Sequence, residues 1–163
     1  MDSHSVELLE FSFVLNKLKA LCIGPEGEHE LDEQDFFTDR NSLDGMLERV
    51  TYLKRLIESE ISQPELRLPE ISRALAAVCV EGSLLEGRQL IAIAQFIRGS
   101  VELNRFVCSS IGENEASPFI DDSAHLPDVR DLSRYIFSNL EIDGTVKESL
   151  PELRAIRKKM QRA

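Results

Sequence analysis

Cysteine is scarce in this chain of 163 residues, and no two cysteines are closely spaced. Cys22, Cys79 and Cys108 are far apart, odd in number and outside any C-x-x-C motif. A disulfide framework uses an even set of cysteines, and a zinc site uses closely spaced ligands. The sequence therefore predicts three free thiols, buried in a protein of the reducing cytoplasm.

Long apolar runs are also missing. No stretch approaches the roughly 20 apolar residues that a membrane-spanning helix requires. The start, MDSHSVELLEF, lacks the basic segment and apolar run of a secretory signal peptide. We expect a soluble, cytoplasmic protein that does not partner with a membrane.

The motifs of common enzyme classes are absent. The chain has no G-x-x-x-x-G-K-S/T phosphate loop, no G-x-S-x-G and no H-E-x-x-H. His4, His29 and His125 are isolated in polar settings, which favours solvated side chains. The acidic run from Glu26 to Asp35 lacks the glycine spacing of a calcium loop and is typical of a solvated face. No catalytic, cofactor-binding or metal-ligating residue is therefore predicted in these 163 residues.

Basic residues are in the minority, and they are unevenly distributed. The net charge is −10, from 29 acidic and 19 basic residues. Residues 151–163 have a local charge of +4, which leaves −14 on the rest. An acidic body repels phosphate, so most of the chain is not expected to bind nucleic acid. The candidate contact residues for nucleic acid or an acidic partner are Arg154, Arg157, Lys158, Lys159 and Arg162. The alternative is that they complement the dipole of their own helix at the root of a coiled coil.

The spacing of apolar residues predicts an all-α fold, a bundle of about six helices. A helix-like apolar stripe on the second helix consists of Leu43, Met46, Leu47, Val50, Leu53 and Ile57. The fourth helix is apolar on two sides, which indicates a central position. Gly99 within it is predicted to be a close-packing position. The six predicted helices run from near Val6 to Cys22, from Asn41 or Ser42 to Ser59, from Pro69 to Gly82, from Leu84 to Cys108, from His125 to Leu140, and from Ser149 to the chain end.

Local signals define the ends of several helices. Ser83 with Glu86, and Ser149 with Glu152, fit the capping box. Residues 109–123 are predicted to form a loop. Asp143-Gly144 between β-branched residues predicts a tiny β-hairpin near residues 141–147. The sixth helix has no Gly, Asn or Pro terminator before Ala163, so we expect a helix that was cut inside a longer one.

Three segments together resemble the start of the MutS-two family, MutS paralogues that lack the mismatch-reading domain and often have a C-terminal Smr nuclease domain. They are LLEFSFVLNKLKALC, LPEISRALAAVCVEGSLLEGRQLIAIAQFIRGSVELNRF and IDGTVKESLPELRAIRKKM. The last is the most specific, with Leu150 where the family usually has Ser and Glu148 where it has Asp. Residues 109–123 match poorly.

The resemblance implies that residues 1–148 form a helical core/lever domain, and that residues 149–163 begin a coiled-coil arm. It implies a full-length parent that is a dimeric, DNA-binding ATPase using ATP and Mg²⁺. Such a parent belongs to a DNA mismatch repair family and acts in the control of recombination or in ribosome rescue. Some relatives have an endonuclease domain. The partners would be the rest of the chain, a second copy, and DNA or the ribosome through other domains. The alternatives are a free-standing adaptor that binds a protein through Leu153, Ile156 and Met160, and direct nucleic-acid binding.

Overall fold

A computed structural model describes residues 10–33, 36–111 and 116–151 of the chain. Within these residues the secondary structure is helical, with a single isolated β-bridge, and the all-α prediction is confirmed. The described helices are α1 (Phe11–Lys19), α2 (Pro25–Glu33), α3 (Arg40–Glu58), α4 (Ser72–Val78), α5 (Gly87–Val107), α6 (Ile120–Ala124) and α7 (Arg130–Asn139).

The helices belong to two compact units whose segments alternate along the chain. Unit 1 comprises Met1–Leu66 and Glu102–Leu126, and unit 2 comprises Arg67–Val101 and Pro127–Ala163. Helix α5 contributes its first part to unit 2 and its last turns to unit 1. Each unit is described by itself below.

Unit 1 begins with the pair of helices α1 and α2. Gly24 and Pro25 separate them, and Pro25 is the first residue of α2, where its missing N–H costs no helical hydrogen bond. The Lys19 ammonium pairs with the Asp32 carboxylate, which ties the end of α1 to α2. The rings of Phe11 and Phe36 lie 5.6 Å apart. Much of the acidic run that begins at Glu26 therefore lies in helix α2, which ends at Glu33.

Helix α3 is capped by Asp39, and not by the predicted Asn41 or Ser42. An Asp39 carboxylate oxygen accepts hydrogen bonds from the Ser42 N–H at 2.8 Å and from the Ser42 hydroxyl at 2.9 Å. Aspartate with extended backbone is a favoured N-cap because it satisfies an N–H that has no partner within the helix. Ser42 is the donor in this cap, which accounts for the error.

The buried face of α3 forms the core of unit 1. Tyr52 and Leu56 are the buried residues of this helix, and the Tyr52 hydroxyl donates to the Ser109 carbonyl. The Phe119 ring lies 6.4 Å from the Tyr52 ring. The Arg49 guanidinium lies over Phe119, 5.4 Å from the ring centroid, and is 2.9 Å from the Asp122 carboxylate.

The predicted loop of residues 109–123 contains the short helix α6. Ser117, which is buried, donates from its hydroxyl to the Val107 carbonyl, and the same oxygen accepts from the Phe119 N–H at 3.1 Å. These bonds fix the chain as it enters α6. Polar turn residues gave no apolar period here, and the helix is shorter than two turns, so the sequence pattern missed it.

Unit 2 is organised around α5. Ile91 and Ala94 of α5 pack with Ile136 of α7, and Leu90, Phe137 and Leu140 lie against this cluster. The Ser133 hydroxyl donates to the Ala94 carbonyl at 2.9 Å, which satisfies a buried polar group inside the contact. Four of the α5 residues are buried, as expected for a helix that is apolar on two sides.

Gly99 is a close-packing position, as predicted. A Cβ there would lie 2.6 Å from the Arg67 carbonyl oxygen and 2.9 Å from Leu68. The neighbour is an irregular segment before α4, and not another helix.

Several predicted helix starts were displaced. Helix α4 begins at Ser72 and not at Pro69, because the Glu70 carboxylate accepts from the Arg73 N–H at 3.4 Å. The Ser83 hydroxyl donates to the Ala77 carbonyl behind it, so Ser83 and Glu86 form no capping box, and α5 begins at Gly87. Helix α7 begins at Arg130 and not at the predicted His125, which follows the last residue of α6. The Asp128 carboxylate accepts from the Arg130 N–H at 3.1 Å.

The cysteine prediction was wrong in one respect. The three thiols are free, but Cys79 is exposed, and Cys22 and Cys108 are half-buried. Cys79 follows the last residue of the short helix α4.

Candidate interaction surfaces

The basic residues singled out in the sequence lie outside the described part of the chain. Arg154, Arg157, Lys158, Lys159 and Arg162, the capping partner Glu152 and the seam Leu153, Ile156 and Met160 all fall within residues 152–163. Their role in contacting nucleic acid or a partner therefore stays a prediction. The described chain ends with Leu150 and Pro151, where the Leu150 N–H donates to the Lys147 carbonyl at 3.2 Å.

The requirements of a metal site are not met in the described residues 10–33, 36–111 and 116–151. Within these ranges no group of three His, Cys, Asp or Glu side chains is placed to hold a metal ion. His29 and His125 are exposed, as predicted, and His4 lies outside the described residues. The His29 imidazole lies 3.3 Å from the Glu33 carboxylate one turn along α2, and His125 Nδ1 lies 2.7 Å from the Asp121 carbonyl. Both contacts are local to their own helix.

The apolar stripe predicted on the second helix is largely exposed. Val50 is 60 % exposed, and Leu47 and Ile57 are each 53 % exposed. Leu43 and Met46 are exposed to about two fifths, and Leu53 is half-buried. Tyr52 and Leu56, which are buried, lie on another side of the same helix. We call the exposed stripe the outer face of α3.

A second group of exposed apolar residues lies on α1 and in the turn after it. Helix α1 ends at Lys19 and not at the predicted Cys22. Val14 and Leu18 of α1 are 47 % and 43 % exposed, and Leu21 in the following turn is 79 % exposed. Phe11 and Leu15 of α1, and Cys22 after it, are half-buried. We call Val14 and Leu18, together with Leu21, the outer face of α1.

The predicted β-hairpin is present and is packed against the start of α5. Leu140 and Val146 form an antiparallel bridge, and the Glu141 N–H donates to the Thr145 carbonyl at 2.8 Å. Gly144 has φ of +86°, a left-handed conformation that favours glycine. A Cβ on Gly87 would lie 1.9 Å from the Gly144 carbonyl oxygen. Glycine is therefore required where the turn meets the helix.

The hairpin turn is fixed by Asp143. Its carboxylate accepts from the Thr145 N–H at 2.9 Å and from the Thr145 hydroxyl at 2.7 Å. These bonds, with a smaller contribution from the charge of Arg88, hold the pKa of Asp143 below its ordinary value. The Lys147 ammonium donates to the Phe137 carbonyl, which anchors the return strand to α7.

An open pocket of about 300 Å³ lies between the hairpin and α5. Its lining combines apolar side chains with a guanidinium, an amide and a carboxylate. The lining residues are Arg88, Ile91, Ala92, Gln95, Ile142 and Asp143. Arg88 and Asp143 are exposed, and Ile142 is 80 % exposed, so the pocket is shallow and offers surface contact but no enclosure.

Within the described residues, no helix is long and apolar enough to cross a membrane. Comparisons with protein-family models, curated proteins and solved structures returned no match to this chain.

Sequence reasoning missed that the stripe on α3 is a surface. The sequence does show that α3 has a second apolar side, because Tyr52 and Leu56 lie off that stripe. Apolar residues on two sides indicate either a central helix or a helix with an outer contact. Periodicity does not distinguish the two.

Proposed function

We propose that this chain is a non-catalytic helical module of a MutS-two-type ATPase, forming part of its core and lever. Its role would be mechanical, coupling the nucleotide state of a distant ATPase to the position of a clamp through rigid helices. The resemblance of residues 142–160 to that family motivates the proposal, and a cytoplasmic location belongs to it.

The observation that carries the mechanical role is the outer face of α3. Large apolar side chains that are half exposed along one helix face are costly in water, at roughly 25 cal/mol per Å² of apolar surface left uncovered. A contiguous apolar stripe of this kind marks a surface that another protein surface covers. In the proposal, other domains of the same parent cover it.

The hairpin supplies a second support, because it gives a rigid base next to Pro151. The turn is held by the close packing of Gly144 on Gly87 of α5 and by the hydrogen bonds that Asp143 accepts from Thr145. The Lys147 ammonium also donates to the Phe137 carbonyl of α7. A lever needs an end that does not bend under load. An arm that starts at Pro151 would leave from such an end.

Association with the rest of the parent tests the proposal. The reading frame beyond Ala163 is expected to encode an ATPase with a phosphate-binding loop. The downstream polypeptide, co-expressed with this chain, should co-purify with it. Val50→Glu should abolish co-purification because it places a charge in the covered face. The control Glu48→Gln alters an exposed polar side of the same helix and should leave it intact.

Two outcomes would contradict the proposal. One is a frame that ends at Ala163 with no phosphate-binding loop downstream. The other is ATP binding by this chain alone, measured with a fluorescent nucleotide, since the chain has no phosphate-binding loop motif.

A free-standing adaptor is the second candidate, because the sequence places Leu153, Ile156 and Met160 at helical spacing, which fits binding to a protein partner. Sedimentation of the chain alone distinguishes the two. Concentration-dependent dimerisation that Met160→Glu abolishes supports the adaptor, and a monomer at all concentrations counts against it.

A further inference from the structure

The outer face of α1 is flanked by the most acidic helix of the described chain. We propose that the α1–α2 pair is a docking surface for a basic amphipathic helix of another polypeptide. The inference does not depend on the MutS-two assignment or on the outer face of α3.

The first step is the apolar part of the surface. Val14 and Leu18 lie one turn apart on one face of α1, and Leu21 follows in the turn after the helix. The other stripe of α1, with Phe11 and Leu15, is already half-buried, and Phe11 contacts Phe36. Helix α1 therefore has an inner contact that is made and an outer contact that is open. The exposed side chains of Val14, Leu18 and Leu21 form a short apolar surface against which a helical partner can pack.

The second step is charge. Helix α2 has the sequence PEGEHELDE, with five carboxylates and no Lys or Arg. It contacts α1, and the Lys19 ammonium pairs with Asp32 between the two helices. A surface with this local charge attracts cations and repels acidic partners. The charge therefore selects among amphipathic helices for a basic one.

The third step is the position of the negative charge, which is concentrated at the C-terminal end of α2. Glu30, Asp32 and Glu33 are in the last turn, which has no basic residue. The negative end of the helix dipole is also there, so these carboxylates destabilise the helix end that they occupy. A cationic partner placed against this turn reverses that unfavourable interaction. Lys19 already compensates Asp32 within the fold, and a cationic partner would add to that compensation.

The test uses three synthetic peptides with a fluorescent label, measured by anisotropy against the full chain. The first is an amphipathic helix with a leucine stripe and a Lys/Arg polar face. The second keeps the stripe and has a Glu polar face. The third keeps the Lys/Arg residues and has Gln in place of the stripe. We expect only the first to bind, with affinity falling about tenfold or more between roughly 50 mM and roughly 500 mM salt.

Matched variants locate the site. Leu18→Gln with Leu21→Gln should weaken binding of the basic amphipathic peptide about tenfold, whereas Leu84→Gln should not. Leu84 is 92 % exposed and lies in unit 2. Glu30→Gln with Glu33→Gln should weaken binding at low salt and have little effect at high salt. The exposed pair Glu81→Gln with Glu141→Gln changes the net charge equally and should leave binding unchanged.

Four results would overturn the proposal. Equal binding of the acidic peptide removes the role of α2, and equal binding of the stripe-free peptide removes the role of α1. Binding that appears only after residues 152–163 are deleted means that the chain's own basic segment covers the surface. Self-association that the Leu18 and Leu21 changes abolish would assign the face to a second copy.

Discussion

Helices α3 and α5 are the two longest described helices, and they use apolar residues in different ways. In α5, Ile91, Ala94 and Ile97 are buried, and most neighbouring positions are half-buried. In α3, Tyr52 and Leu56 are buried, but a full stripe on another side is open to solvent. The difference shows that α5 is a core helix in the usual sense, whereas α3 has one face in a core and one face available for a partner.

The contrast within α3 can be tested by shortening one side chain on each side. Leu56 is completely buried, so Leu56→Ala should lower the free energy of unfolding by about 2–5 kcal/mol through lost burial and a cavity. Val50→Ala removes an exposed side chain and should change it by less than about 0.5 kcal/mol. Urea unfolding followed by circular dichroism measures both. Similar losses would show that the outer face of α3 is packed against something in the isolated chain.

The glycines of the two helices provide the next contrast. Gly99→Ala in α5 places a Cβ 2.6 Å from the Arg67 carbonyl oxygen, and the strain should cost about 1–3 kcal/mol of unfolding free energy. Gly45→Ala in α3 meets nothing within 4 Å and should stabilise the chain by up to about 1 kcal/mol. Thermal unfolding of the two variants gives shifts of opposite sign. Shifts of the same sign would contradict the close approach at Gly99.

The start of α3 predicts a dependence on pH. Hydrogen bonds from the Ser42 N–H, and then from its hydroxyl, hold the pKa of Asp39 below its ordinary value. The folded-state pKa is thus below the unfolded one. The stabilisation is complete above the unfolded pKa of about 3.9 and is lost as pH falls through the folded value.

Removal of the cap tests this directly. Asp39→Ala should lower Tm at neutral pH by about 2–4 °C. Asp39→Asn keeps an acceptor for the Ser42 N–H, so it should retain most of the Tm at neutral pH. A wild-type chain whose Tm falls no further than that of Asp39→Asn between pH 5 and acid would refute the role of this carboxylate.

The smallest expected effect is the difference in unfolding free energy between two arginine substitutions on α3. Arg49 stacks on Phe119 and pairs with Asp122, so Arg49→Met should cost about 0.5–1 kcal/mol of unfolding free energy. Arg40 pairs with Asp44 at 3.5 Å but is 90 % exposed, so Arg40→Met should cause no measurable change. An equal effect of the two changes would mean that the Phe119 contact adds nothing in solution.

Much of the fold was accessible from the sequence because its signals were local. Apolar periods located α1, α3, α5 and α7, and Asp143-Gly144 correctly predicted the hairpin. Gly99 was correctly identified as a close-packing position. Each of these rests on the steric needs of a few adjacent residues, which one sequence contains.

The errors came from choices that depend on distant residues. Asp39 and Ser42 are both residue types that favour the N-cap position. Backbone geometry, and not residue type, decides that Asp39 accepts the capping hydrogen bonds and Ser42 donates them. Ser83 bonds back to Ala77, and no capping pattern reveals that preference. Whether the α3 stripe is covered depends on surfaces elsewhere, so the period located the stripe but not its exposure. The basic residues Arg154 to Arg162 lie outside the described part of the chain and remain a prediction.

The alternation of the two units along the chain sets a limit on how this protein can be divided. Unit 2 needs residues on both sides of Glu102–Leu126, and unit 1 needs residues on both sides of Arg67–Val101. A single cut therefore cannot release either unit intact. A shortened chain ending near Leu126 would retain α5 but lose Ile136 and the turn that contacts Gly87. For protein engineering, tags and fused domains belong at the ends of the chain, because an insertion within it would separate segments that fold together.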